Sequence, residues 1–350
     1  RADIFVNSFI NGTNWEDEVT AIDRMAKLTK EDIVAFADKY LKEDNYAVVY
    51  KKQGKDPNEK KMTKPEITPI VSNRDVASPF LTSIQENAVK PIEPVFLDFK
   101  KDMSQLTAKS DIPVLYKQNT TNDLFQLIYV FDMGNNNDKA LGTAFDYLEY
   151  LGTSDMTPEE LKSEFYRLAC TFYVSPGNER TYVVLSGLNE NMPAAIQLFE
   201  KLLADAQVNK EAYDNLVGDI LKARADAKLN QGQNFSRLMN YAMYGPKSPA
   251  TNLLTEAELA SMNPQELVDR IHNQNNYKHR ILYYGPSSSK DLLATIDQYH
   301  QVPATLKDIP AGNEFSYLET PATKVLVAPY EAKQIYMAQI SNLDKKYDPA

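Results

Sequence analysis

Apolar positions along the chain fall into two rhythms, one helical and one alternating, and their succession lays out the elements. The opening "RADIFVNSFI" carries Ile4, Phe5, Phe9 and Ile10 at helical spacing and predicts a helix already in progress. From Leu28, "LTKEDIVAFADKYL" has a Thr29 cap, acids in the first turn, and Ile33, Phe36, Ala37, Tyr40 and Leu41 on one stripe. The β-branched and aromatic run "NYAVVYKK" then reads as a short strand. From Gln53 to about Ile92 periodicity fades among charges and Pro57, Pro65, Pro69, Pro79 and Pro91, the pattern of an extended linker.

Regular pattern resumes near Pro94. "VFLDF", "IPVLYKQN" and "LFQLIYVFDMG" read as strands, the last closing at Gly134. Helices are expected around Phe145–Leu151 and after Thr157-Pro158, where proline suits the first helical position. "TYVVLSGL" is a further strand, followed by the amphipathic helix "NMPAAIQLFEKLLADA" and the long helix "KEAYDNLVGDILKARADAKL". "NPQELVDRIHNQ" predicts a helix, "YKHRILYYGP" a strand and "SKDLLATIDQYH" another helix. "ATKVLVAPYEAKQIYMAQIS" reads as two hairpin strands. Strands and helices alternate in irregular blocks, which predicts an α+β fold, a mostly antiparallel sheet with helices packed on one face.

The chain also resembles itself. "LTKEDIVAFADKYLKEDNYAVVYKKQG" matches "MNPQELVDRIHNQNNYKHRILYYGPSS" about 230 residues later, down to the Asn45-Tyr46 and Asn276-Tyr277 pairs. That spacing is of whole domains. The expected organisation is the end of one domain (1–53), a linker (54–92), a complete copy (93–310) and the start of another (311–350), as a piece of a longer polypeptide.

Composition narrows the function. The 350 residues, 43% hydrophobic and 25% charged, suit a soluble globular protein of two ordinary domains. A net charge of −10 argues against nucleic-acid partners, so Lys51-Lys52 and Lys60-Lys61 read as solvated charge. No stretch approaches the ~18 apolar residues of a membrane span. The single cysteine, Cys170, allows no internal disulfide and leaves the redox compartment open; in its apolar setting it reads as a small buried hydrophobe. His272 and His279 lie seven apart between a helix end and a strand, without metal spacing on a shared helical face, and read, like His300, as surface or cap residues. The tyrosine pairs Tyr147/Tyr150, Tyr241/Tyr244 and Tyr283/Tyr284 read as core or rim packing, with the lining of a peptide chamber as the functional alternative.

"YVFDMG", Gly142, "AFDYLEY", Gly152-Thr153 and the helix start "TPEEL" together resemble the M16 metallopeptidases, the insulinase/pitrilysin family. In that family a helix bearing His-x-x-Glu-His supplies two zinc ligands and a general base, and a glutamate from a later helix completes the site. The resemblance implies an M16-type (LuxS/metallohydrolase-like) fold. Anchored on Gly142, the two histidine positions fall at Phe145 and Glu149 and the general-base position at Leu148. No glutamate lies between Glu211 and Glu256, and Asp214, Asp219 and Asp226 in that region read as surface carboxylates. The chain is therefore expected to hold no zinc or other cofactor and no catalytic residue. By resemblance it is the inactive half of a long-chain zinc endopeptidase, walling the chamber that encloses peptide substrates, with Zn2+ and catalysis in a partner half. The alternative is a catalytically dead M16-like scaffold or peptide-binding subunit of a heteromeric complex. The compartment is left open, the bacterial periplasm being one that fits.

Overall fold

The computed structural model describes residues 2–44, 46–51, 54, 63–68, 76–332 and 334–342. The chain divides into two compact units, Arg1–Pro91 and Ile92–Ala350. The first holds five helices among its described residues, α1 (Ala2–Asn11), α2 (Trp15–Val19), α3 (Ala21–Met25), α4 (Lys30–Tyr40) and α5 (Pro79–Gln85). Helix α4 starts where its cap predicts. The Thr29 hydroxyl accepts from the Asp32 amide at 3.2 Å, and the Asp32 carboxylate accepts from the Thr29 amide at 2.9 Å, so two orphan donors are satisfied reciprocally. Residues 46–51, expected as a strand, are not one: no strand pairs with them, and β-propensity without a partner leaves the backbone unsatisfied. The expected linker contains α5, and its residues 53, 55–62 and 69–75 lie outside the described residues.

The second unit is built on a six-stranded sheet of β1 (Ser104–Ala108), β2 (Ile112–Gln118), β3 (Leu124–Phe131), β4 (Cys170–Pro176), β5 (Thr181–Leu188) and β6 (Arg280–Gly285), in the order β1-β2-β6-β3-β5-β4. Only the β2–β6 pair is parallel. Register carries one row of side chains through all six strands, Leu106, Val114, Ile281, Tyr129, Val183 and Val174. A second row runs Tyr116, Tyr283, Leu127, Leu185 and Phe172. Both rows meet one layer of helices, so the α+β expectation holds. The layer comprises α6 (Leu141–Leu148), α7 (Pro158–Arg167), α8 (Met192–Asp205), α9 (Lys210–Ala227), α11 (Glu256–Ser261), α12 (Gln265–Asn273) and α13 (Ser289–Tyr299), whereas α10 (Gln231–Tyr244) has no buried residue and meets Tyr317 and Tyr336 through Tyr244 and Phe235. Helix α8 lies at its centre, against β4, β5, α12 and α13. "VFLDF" is not a strand; sheet pairing begins at β1 instead. The hairpin expected over 322–341 is also missing from the described residues there, and Ile335 and Met337 stand in solvent with no strand beside them. Residues 333 and 343–350 lie outside the described residues.

Helix α8 carries one carboxylate into this core. Glu200 occupies the apolar stripe of Ile196, Phe199 and Leu203 and is 1% exposed. Its Oε1 lies 2.6 Å from His300 Nδ1, and His300 Nε2 lies 2.9 Å from His279 Nε2. His279 Nδ1 is 2.8 Å from the Tyr277 carbonyl. A carbonyl only accepts, so His279 Nδ1 donates there, and neutral His279 offers a lone pair to an N–H on His300. One proton then remains for the contact between His300 Nδ1 and Glu200 Oε1. Glu200 Oε2 accepts from Asn275 Nδ2 at 2.8 Å and the Gln301 amide at 3.2 Å. The Tyr129 ring packs 4.4 Å from that of His300, and burial, then the Glu200 charge, holds its hydroxyl well above the usual phenol range. His279 is thus a core residue and not the surface or cap residue expected, while His300 is a cap, the C-cap of α13, but a fully buried one. His272 is half-buried, its Nε2 3.1 Å from the Ala206 carbonyl.

A further proton on His279 would set N–H against N–H. Burial, followed by the neighbouring His300, lowers its pKa from 6.5 to about 4. Between those values the unfolded chain binds the proton and the folded chain does not, so stability is full above 6.5 and falls as pH drops toward 4. Urea unfolding should give about 3 kcal/mol less stability from this group at pH 4 than at pH 7. H279Q, which cannot gain the proton, should show a correspondingly shallower acid dependence; an unchanged one would refute the assignment. Phe199, fully buried with its ring 5.0 Å from that of Phe172, should cost about 3–5 kcal/mol on substitution by alanine in the same assay.

Candidate functional site

Helix α6 and its C-cap carry the three positions that the resemblance aligns with the zinc motif, and the local sequence explains the helix's orientation. Leu141, Ala144, Phe145 and Leu148 recur at helical spacing and are all buried, Phe145 at 3% and Leu148 at 2% exposure. The helix ends at Leu148, three residues short of the expected Leu151, and Glu149 is its exposed C-cap. Beyond it the chain turns tightly. The Thr153 amide donates to the Met156 carbonyl at 2.8 Å, and a Cβ on Gly152 would lie 2.3 Å from that same oxygen, so only glycine fits. Thr157 and Glu160 then form the capping box that opens α7.

Helix α9 lies across from α6. The two are tied by Tyr147, whose hydroxyl donates to the Asn209 carbonyl at 2.6 Å and accepts from the Asn209 amide at 2.8 Å. Asn209 caps α9, so one buried phenol sets the spacing of the two helices. On α9, Asp214 pairs with Lys210 at 2.6 Å and Asp226 with Lys222 at 2.5 Å, surface pairs one helical turn apart. Asp219 lines the cleft between α9 and α7. Among the described residues no group of three His, Cys, Asp or Glu side chains is arranged to hold a metal ion. At the positions that the resemblance aligns with the zinc motif, Phe145 and Leu148 have no ligating atom, and Glu149 alone falls short of the three protein ligands of a catalytic zinc. Zinc therefore does not fit these residues, and no reaction step is assigned to them.

The remaining candidates are structural in setting. Cys170 is buried, and that burial pushes its thiol up, away from nucleophilic character. Of the tyrosine pairs, Tyr147 and Tyr283 are core residues, while Tyr150, Tyr241 and Tyr284 are exposed. Glu200 was not anticipated from the pattern. Its signal was legible, a lone acid on the apolar stripe of an otherwise amphipathic helix, where burial demands a partner.

No family model matches the chain, and no curated protein matches it in sequence. Solved structures do match. The periplasmic protease PqqL from Escherichia coli aligns over 87% of this chain at 15% identity with a TM-score of 0.56. A mutant of the ferredoxin protease FusC, in complex with Arabidopsis ferredoxin, aligns over 67% at 11% identity and a TM-score of 0.54. The peptidase M16 inactive domain from Pseudomonas fluorescens aligns over 61% at 16% identity and a TM-score of 0.51. The chain spans 32% of PqqL, 27% of FusC and 54% of the inactive domain. At these identities the likeness is one of fold, and the fold is that of M16 peptidase structures.

Proposed function

We propose that this chain is the non-catalytic part of a zinc-dependent M16 endopeptidase, forming wall and contact surface of the chamber in which a partner half cuts peptides. The observation that carries the reading is the M16 fold combined with hydrocarbon at Phe145 and Leu148, in the helix that must bear histidine and glutamate in a catalytic half. Glu149 keeps a carboxylate there but no site. PqqL and FusC are both described as proteases, FusC as a ferredoxin protease seen in complex with ferredoxin, and peptide or protein segments are by that likeness the substrate class. The domain division inferred from the internal repeat belongs to this reading: 1–53 ends one M16-like domain, 54–92 joins the halves, 93–310 is the zinc-free domain and 311–350 opens the next. No helix among the described residues is long and apolar enough to cross a membrane, and PqqL is periplasmic, a compartment that suits this chain as well.

Two measurements test the proposal together. The purified chain should contain no stoichiometric zinc by mass spectrometry of metals and leave a fluorogenic decapeptide intact. The full reading frame should encode His-x-x-Glu-His, and its product should cleave the same peptide in a chelator-sensitive way. Zinc-dependent cleavage by the chain alone would overturn the assignment. A reading frame without the motif would also overturn it, in favour of a heteromeric scaffold.

A further inference from the structure

Glu149 stands on the rim of two adjoining cavities. One, of about 640 Å3, is walled by hydrocarbon from α6, α7, β4 and α8, including Leu148, Leu161, Phe165, Phe172 and Leu202. The other, of about 330 Å3, lies between the start of α7 and α9 and is lined by Glu159, Glu211 and Asp219 together with Lys162. Glu149, Pro158 and Lys162 line both, so the two form one continuous depression. Among the described residues none of Glu149, Glu159, Glu211, Asp219 and Lys162 takes part in an ion pair. Four carboxylates against one ammonium leave three negative charges beside an apolar hollow of the size that holds small ligands, about 300–1,000 Å3.

Each half of this depression excludes a different class of occupant. A purely apolar ligand would fill the larger cavity and leave the carboxylates without a counter-charge. A small polycation would answer the carboxylates and leave the hydrocarbon wall in water, forgoing about 25 cal/mol for every Å2 it could have covered. A segment that carries both features satisfies both halves. In an extended peptide, residues two apart project to the same side about 7 Å from one another, which sets the spacing of an apolar and a basic group along one chain.

We propose that this depression binds an extended peptide segment presenting a bulky apolar side chain next but one to a lysine or arginine. The apolar side chain enters the cavity between α7 and β4, and the cation lies among Glu149, Glu159, Glu211 and Asp219. The inference rests on the peptide-binding reading above and gives it a sequence preference and an address on the helical layer.

Fluorescence anisotropy of the 350-residue chain with fluorescein-labelled Gly-Ser-Phe-Ser-Arg-Ser-Gly tests it. Two control peptides replace Phe by Ala or Arg by Glu. The parent peptide should bind about tenfold more tightly than either control, and rising salt should weaken it. E149K places a cation at the C-terminus of α6, where the helix dipole favours it, so the variant should keep the melting temperature of the wild type while losing about tenfold in affinity. E211Q should lose affinity in the same direction with a smaller factor. Absence of binding, equal affinity for the three peptides, or full affinity in both variants would overturn the proposal. None of those results bears on whether the reading frame encodes a zinc-dependent half, and failure of that reading would leave selective binding by this chain measurable.

Discussion

A carboxylate with almost no exposed surface needs an answer on each oxygen, and Glu200 is answered by three groups from two stretches of chain. His300 comes from the end of α13, Asn275 from the turn after α12, and the Gln301 amide from the loop that follows α13. His279, at the entry to β6, completes the line through its contact with His300. Removing any one partner would strand a buried polar group at a cost of about 1–3 kcal/mol, and more for a charge. The network therefore does what an all-hydrocarbon core could not: it specifies which loop meets which face of α8, and so fixes α12, α13 and β6 around the central helix. The parallel β2–β6 pair depends on that placement, since β6 enters the sheet after a long helical excursion and needs a register.

Much of this architecture could be read from residue order. The Thr29 and Thr157 caps mark helix starts to the residue because their partners, Asp32 and Glu160, stand three positions on. Strand β5 coincides with "TYVVLSGL" because its β-branched and aromatic run lies inside the sheet, with Val183, Val184 and Leu185 all buried. Where reading failed, the missing information was tertiary. Residues 46–51, "VFLDF" and the described part of 322–341 have the composition of strands, but a strand exists only where another offers its backbone. The histidines failed differently. Local spacing says nothing about His279 and His300 meeting across 21 positions, and only Glu200, an acid on an apolar stripe, hinted that a buried cation-capable partner was required.

Helix α6 shows how packing claims one face of a short helix. Its inner face carries Phe145 and Leu148, each contributing about 2 kcal/mol by burial, and the helix closes onto the core. Tyr147 fixes its distance from α9, and Gly152 allows the turn that returns the chain into α7.

That closure moves chemical opportunity to the end of α6. With Phe145 and Leu148 interior, Glu149 meets solvent at the C-terminus of the helix. The peptide carbonyls exposed there make a carboxylate unfavourable, by about 0.3–1 kcal/mol relative to a cation. Glu159, Glu211 and Asp219 line the adjoining cleft, with Lys162 the single cation among them. A protein at its stability optimum would place lysine at 149, so the carboxylate runs against the fold's own preference. A charge held against local stability, beside an apolar hollow left by the packing of α7 on β4, is better accounted for by a ligand that brings its own cation than by folding alone.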